Sequence, residues 1–529
     1  MKNMQGFTAR SVKLLEGPSL QENDMASTQG RLRERGLVAF ALTFFLFIIV
    51  KNAWLSDDAY ITFRVVDNFI HGYGLVWNVD ERVQVYTHPL WMFLLSAVYF
   101  CTHHIYYPSL ILSLLVSFSA VVLFARMANS GGTAALLILL LAASKSFVDF
   151  STSGLENPLT YLLIVLFMYV FYFGQRREQY VYWLATIAAL ATLNRMDTLL
   201  LFLPALLFVF YKRPGWDTVK SLILGFVPFL CWELFSLCYY GFLFPNTAYA
   251  KLNTGIAGAQ LIQQGIGYLI SSCSFDPLIF FAIAACIMLT FLLKTWNNLP
   301  FLIGIGLYLL YTIKVGGDFM AGRFLAEPFL MAVVLLARTD FVLPNRLLAF
   351  GLIALLGLLV PNSCWYPILK DSTVVDARGV ADERAFYVDA TGLLNVQRGI
   401  QWPASPWVEQ GLQARTSEQR VAVTYNAGFF GFVAGPQVHV VDALALCDPL
   451  LARLPALPGW RIGHFRRELP AGYVETLESG KDVMQDRALA FYYRQLHKVI
   501  AGPLFGPERL VEVWKLNTGA YNGLLTPAP

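Results

Sequence analysis

The chain has 529 residues, 57% of them hydrophobic and 14% charged, with a mean hydropathy of +0.54. Soluble domains carry about 25% charged residues, so an assembly of three or four water-soluble domains is excluded. The formal net charge of +4, from 39 basic and 35 acidic residues, is too small and too dispersed for a nucleic-acid-binding protein.

Residues 1–35 read as a cytoplasmic tail that closes with Arg31, Arg33 and Arg35, ahead of a first apolar run from Gly36 to Leu55. No small-residue cleavage site follows that run, so it reads as an uncleaved membrane anchor. Further spans are predicted at 108–125, 132–148, 157–173, 180–193, 198–211, 219–240, 276–293, 299–315, 323–337 and 346–360, which makes eleven. The stretch from Pro89 to Tyr107 is set apart. Its Trp91, His103, His104, Tyr106 and Tyr107 suit an interfacial helix lying along the membrane surface. Leaving it out also puts Arg126, Arg176, Arg177, Lys212, Arg213, Lys294, Arg338 and Arg346 in the cytoplasm, as the positive-inside rule requires.

The predicted class is an all-α polytopic membrane module over 36–360, with a first outer loop at 56–107. A soluble extracytoplasmic domain of α/β or α+β type follows at 361–529. Val421–Tyr425 and Val438–Asp442 read as its short strands, and 484–498 as a helix. The seven cysteines form no Cys-x-x-Cys pair, and only Cys364 and Cys447 fall in the soluble part, where their spacing leaves a disulfide open.

This topology gathers the polar motifs on one side. Asp57 and Asp58 directly follow the first span and open a loop rich in aromatics and glycine; a carboxylate there can serve as general base on a hydroxyl. Taken alone, the pair reads sooner as a helix-end stop signal than as a catalytic group. Gly316, Gly317 and Asp318 followed by Arg323 have the chemistry of an anion site, and Lys251 and Arg195 are further cations at outer helix ends. Each cation alone reads as a snorkelling anchor; together they suit a lipid phosphate. Glu233 and Glu327 lie inside predicted spans, where they read equally as functional groups and as hydrogen-bonded structural carboxyls. Asp57, Asp58 and Glu156 could gather a divalent cation from separate loops, although no metal-ligand spacing is present. Walker, dinucleotide and nucleophile-elbow motifs are missing.

The run Asp57-Asp58-Ala59-Tyr60-Ile61-Thr62-Phe63-Arg64, continued by Gly72-Tyr73-Gly74-Leu75-Val76-Trp77-Asn78, Glu81-Arg82-Val83 and Tyr86-Thr87-His88-Pro89-Leu90-Trp91, resembles the first outer loop of GT-C glycosyltransferases. More closely it resembles their polyprenyl-phosphate arabinofuranosyltransferases, which include the terminal transferases of mycobacterial cell walls and a type IV pilin arabinosyltransferase in Pseudomonas. Thr152–Glu156, Asn194–Asp197, Phe244–Lys251, Gly317–Phe319, Asp448–Pro455 and Gly463–Arg467 extend the likeness to about residue 475. The resemblance implies a bacterial inner-membrane enzyme that moves arabinofuranose, with inversion, from a polyprenyl-phosphate donor. The acceptor hydroxyl would be on pilin or a surface glycan at the periplasmic face. It also implies that Asp57 or Asp58 is the base. Among outer-loop residues, Arg323, Asp318, Gly317, Lys251, Arg195, Glu156 and His88 are the expected contacts for donor phosphate and sugar. Transfer of another lipid-linked sugar such as mannose is the nearest alternative. A lipid-sugar flippase would instead want charged residues deep in several spans, and a non-catalytic surface-assembly factor would tolerate loss of both aspartates.

The topology makes a direct prediction. A cysteine placed at Gln175 should react with impermeant reagent only from the cytoplasm, and one at Gly480 only from the periplasm. Reversed labelling would overturn the orientation and the side of the site with it.

Overall fold

The computed structural model describes residues 20–339, 346–360, 363–366, 374–396, 402–417 and 420–525; the first 19 residues of the predicted tail lie outside this range. A helix overlies every predicted span, but most are shorter than a bilayer needs. Among the described residues, Tyr106–Ala125, Trp216–Tyr239 and Trp296–Lys314 are long and apolar enough to cross alone. Gly258–Phe275 and Pro277–Leu292, bent by 102° at the break between them, supply a fourth if they act as one broken span. By length and composition the helices thus provide three or four self-sufficient spans.

Local chemistry explains the shortening. The predicted span 132–148 breaks after Ala143, where Ser144 leaves the helical region and its hydroxyl accepts the Phe147 N–H to start a new short helix, Lys145–Asp149. The span predicted at 323–337 opens as a 3-10 turn, Arg323–Leu325, before the helix Ala326–Ala337. Conversely, the first helix runs Leu20–Lys51, so part of the predicted tail is already helical.

The first outer loop carries two helices of 14 residues each, Asp57–Ile70 and Pro89–Thr102, which pack on one another. Each is about 21 Å long, short of the roughly 30 Å hydrocarbon core. Ser56 caps the first of them through the Ala59 N–H, and Asp57 and Asp58 occupy its first turn, where acidic residues favour the helix dipole.

In the C-terminal part, Val421–Thr424 and His439–Asp442 pair as parallel strands with Val421 opposite His439, joined by the helix Gly428–Ala434. Among the described residues this is the whole sheet; helices supply the rest, including Arg487–Ala501 where 484–498 was expected. All seven cysteines are free thiols. Cys364 sits against Asp149, its Sγ 3.5 Å from Oδ1, and is not bonded to Cys447.

The C-terminal part is fastened to the helices beneath it by buried polar contacts. Arg64 of the first loop donates Nε–H to the Trp77 carbonyl at 2.8 Å, and its other nitrogens reach the carbonyls of Gly431 and Val438. Lys145 and Asp149 pair with each other, while Asp382 lies 3.4 Å from Lys145 Nζ and Arg384 Nε 2.6 Å from Asp149 Oδ1. All four are almost fully buried. Changing Asp149 to Asn would leave two buried cations short of a counter-charge, a loss of about 3–5 kcal/mol. Thermal unfolding in detergent should register it as a large drop in midpoint; an unchanged midpoint would show that the cluster carries no weight.

Candidate active site

Where the C-terminal part meets the first loop there is a cavity of about 290 Å³. Asp57 and Asp58 are both on its wall, but their surroundings separate them. The Asp57 carboxylate accepts N–H groups from Phe429 at 2.7 Å and Gly428 at 3.2 Å, so it caps the helix Gly428–Ala434. Gly428 is required there, because a Cβ would come within 2.0 Å of the Asp57 carbonyl oxygen. Burial lifts the Asp57 pKa to about 7 against the pull of these donors, and Asp58 adds to the rise. Asp58 makes no hydrogen bond or ion pair with any described residue, and its carboxylate faces the open cavity. Burial raises its pKa as well, opposed by Arg323 and Lys251 and reinforced by Asp318 and Glu156. Of the adjacent pair, one is committed to structure and one is free to act.

Beneath Asp58 lies a charge cluster centred on Glu156, which is fully buried. Arg323 Nη2 donates to both Glu156 oxygens, at 2.9 and 3.2 Å; His88 Nδ1 lies 3.3 Å from one of them and Arg195 Nη1 3.8 Å from the other. Burial alone would raise the Glu156 pKa, yet Arg323, His88 and Arg195 bring it down to about 2. Arg195 is further engaged by Asp197 at 2.9 Å and by Glu327 at 3.2 Å, and its guanidinium stacks on Phe324. His88 holds Thr62 through Nε2 at 2.8 Å, which ties the cluster to the helix that carries Asp58. Glu327 also accepts from Asn157, so one of the two intramembrane glutamates joins the cluster. Glu233, on the helix Trp216–Tyr239, does not.

The anion site expected at Gly316–Gly317 takes another form. The Gly317 N–H is bound to the Thr312 carbonyl at 2.8 Å and the Gly316 N–H to Ile313, so both finish the preceding helix. Gly317 has φ +78°, and a Cβ there would lie 2.4 Å from Tyr268 Cβ. Its glycine serves a helix end and a close approach. Asp318 accepts the Phe319 N–H at 2.8 Å, and its other oxygen lies 3.7 Å from Arg323. Arg323 and Arg195 are therefore neutralised inside the protein, whereas Lys251 is half-buried and has no ion pair among the described residues.

Glu156 and Asp57 are thus occupied by protein donors, and Asp57, Asp58 and Glu156 do not converge on one point. Among the described residues no group of three His, Cys, Asp or Glu side chains is arranged to hold a metal ion.

The cavity also brings in residues that the sequence reading did not single out. Glu383 opens the helix Glu383–Thr391 and lines the wall without a hydrogen bond or ion pair to any described residue. Trp407, Phe386 and Tyr387 line it too, with Phe386 stacked on Trp407 at 6.2 Å. Arg461 borders it, its Nε donating to the Gly379 carbonyl at 2.7 Å. Burial and the neighbouring Arg461 push the pKa of His464 down to about 4, so its imidazole is neutral. Glu383 stands in the charged run Asp382-Glu383-Arg384, and no motif there marks it as part of a site. An open carboxylate, aromatic faces and a cation at the rim can bind a neutral polyhydroxyl group and take up a hydroxyl proton.

The chain is similar to known proteins. Residues 101–239 match the family described as dolichyl-phosphate-mannose-protein mannosyltransferase. Over 520 residues the chain is 26% identical to the terminal beta-(1->2)-arabinofuranosyltransferase of Mycobacterium tuberculosis, covering 79% of this chain and 82% of the relative. It is 25% identical over 512 residues to the protein of the same name from Corynebacterium glutamicum, covering 78% of this chain and 72% of the relative.

The cluster can be tested apart from turnover. Arg323→Ala would leave Glu156 buried with too little positive charge, at a cost of about 3–5 kcal/mol, so unfolding should move to markedly lower temperature. The paired change Arg323→Met with Glu156→Leu should recover part of that loss. A single variant as stable as the parent would show that the pair contributes nothing.

Proposed function

We propose that this membrane glycosyltransferase, of the GT-C arabinofuranosyltransferase family, moves arabinofuranose from a polyprenyl-phosphate donor to an acceptor hydroxyl at the periplasmic face of the bacterial inner membrane. The observation that carries this reading is the Asp58 carboxylate, open to the cavity while its neighbour Asp57 is bound to backbone N–H groups. Asp58 takes the proton of the acceptor hydroxyl as its oxygen attacks the anomeric carbon. The bond from that carbon to the phosphate oxygen breaks, its electron pair leaves with the lipid phosphate, and attack from the opposite face inverts the centre. Lys251 is the residue assigned to the leaving phosphate, because Arg323 and Arg195 already have carboxylate partners. A cation in a place poor in water stabilises such charge more than it would in bulk solvent. A lipid-linked donor needs no nucleotide site, and no motif for one is present.

The likeness over residues 101–239 to a family described as mannosyltransferases makes transfer of lipid-linked mannose the second reading. Purified protein in lipid nanodiscs, offered prenyl-phosphate arabinofuranose or prenyl-phosphate mannose in turn, decides between them. Mass spectrometry of pilin and surface glycan from a deletion strain identifies the acceptor.

General base catalysis is worth about 10²–10⁴ in rate, so Asp58→Asn should lower kcat by at least that much while donor binding is retained. Asp57→Asn should cost stability first and keep more activity. Parent-like turnover in Asp58→Asn would remove the central claim. The pH profile gives a separate check. Asp58 must be ionised to act, and burial raises its pKa. The acid limb of kcat/KM should therefore fall at higher pH than the ordinary carboxylate value of about 3.9, and Asp58→Asn should erase it. An acid limb that survives in Asp58→Asn would assign it to another group.

A further inference from the structure

The last well-described helix, Pro507–Asn517, is built inside out for a water-soluble domain. Its buried face holds Arg509, Glu512 and Val513. Leu510, Val511 and Trp514 project outward, 51%, 49% and 71% exposed, with Phe505 just before the helix at 79%. Positions 507, 510, 511 and 514 share one side of a helix, so these apolar groups form a continuous stripe. A soluble protein turns such a stripe inward; leaving it out marks a contact with something apolar.

The neighbouring element says what that is. Arg509 Nη2 donates to the Tyr239 carbonyl at 2.9 Å and Asn517 Nδ2 to the Gly241 carbonyl at 2.8 Å, so the helix is bolted to the end of Trp216–Tyr239. That longer helix is apolar enough to cross a bilayer, and the protein itself buries only 17% of its most apolar stretch. Gly241 makes the junction tight: a Cβ there would lie 2.2 Å from Val499 Cγ1. At 11 residues, the helix Pro507–Asn517 is too short to span. Tryptophan beside lysine, here Trp514 and Lys515, is the pairing that settles at headgroup depth.

We propose that the helix Pro507–Asn517 lies in the membrane interface, its Leu510, Val511 and Trp514 sunk into the lipid next to the end of Trp216–Tyr239. The C-terminal part would then rest on the bilayer through its own lipid contact, in addition to its docking on the helices beneath. The inference is independent of which sugar is transferred or which acceptor receives it.

Nitroxide labelling of the full chain tests it. Cys101, Cys231, Cys238 and Cys273 are exposed and are first changed to Ser. Leu510→Cys, Trp514→Cys and, as a control, Lys481→Cys are then labelled singly in vesicles of phosphatidylethanolamine and phosphatidylglycerol. All three side chains are solvent-facing in the isolated chain, so labelling disturbs no core. Labels at 510 and 514 should collide more with oxygen, which concentrates in lipid, than with a water-soluble nickel chelate, and the label at 481 the reverse. Nickel-dominated collisions at 510 and 514 would overturn the proposal. So would low accessibility to both reagents, which would assign the stripe to a protein partner or a second copy of the chain.

Discussion

Everything near the cavity hangs on one buried carboxylate. Glu156 is fully buried, and its charge persists because Arg323, Arg195 and His88 surround it. Each of those partners comes from a different stretch of chain: the turn before Ala326–Ala337, the end of Tyr180–Asn194 and the start of Pro89–Thr102. Charges out of water are costly unless paired with good geometry, so the three stretches are held in one relative position. Thr62 passes that constraint, through His88, to the helix that begins at Asp57.

The same economy of charge divides labour between two identical neighbours. Asp57 and Asp58 differ by one step along a helix, which turns their side chains about 100° apart. One meets the N–H groups at the start of Gly428–Ala434 and completes that helix; the other meets empty space. Arg323 with two carboxylate partners and Lys251 with none among the described residues differ in the same way. Reactivity here is what remains after structural demands are met.

That remainder is what the sequence conceals. Hydropathy locates the helices of the membrane part well, because apolar runs and flanking arginines are local signals. It misses the break at Ser144, since a serine inside an apolar run costs little in a sum while its hydroxyl can start a new helix. The two carboxylates could be named from their place after the first span, and both stand on the cavity wall. Which carboxylate is free depends on Gly428 and Phe429, far along the chain. That Arg323 is taken depends on Glu156, and that the Gly316 and Gly317 amides are taken depends on Thr312 and Ile313. Glu383 was hidden between Asp382 and Arg384, whose ion pairs with Lys145 and Asp149 only folding brings about. The exposed stripe on Pro507–Asn517 has ordinary amphipathic spacing; only the structure shows that its polar side faces in.

The cap that Asp57 provides to Gly428 and Phe429 joins residues 371 and 372 positions apart. Synthesis and membrane insertion proceed from the first residue onward, so the wall carrying Asp58 is in place long before the opposite wall has emerged. Until Gly428 and Phe429 are seated on Asp57, the cavity lacks its opposite wall and Asp58 stands at an open surface.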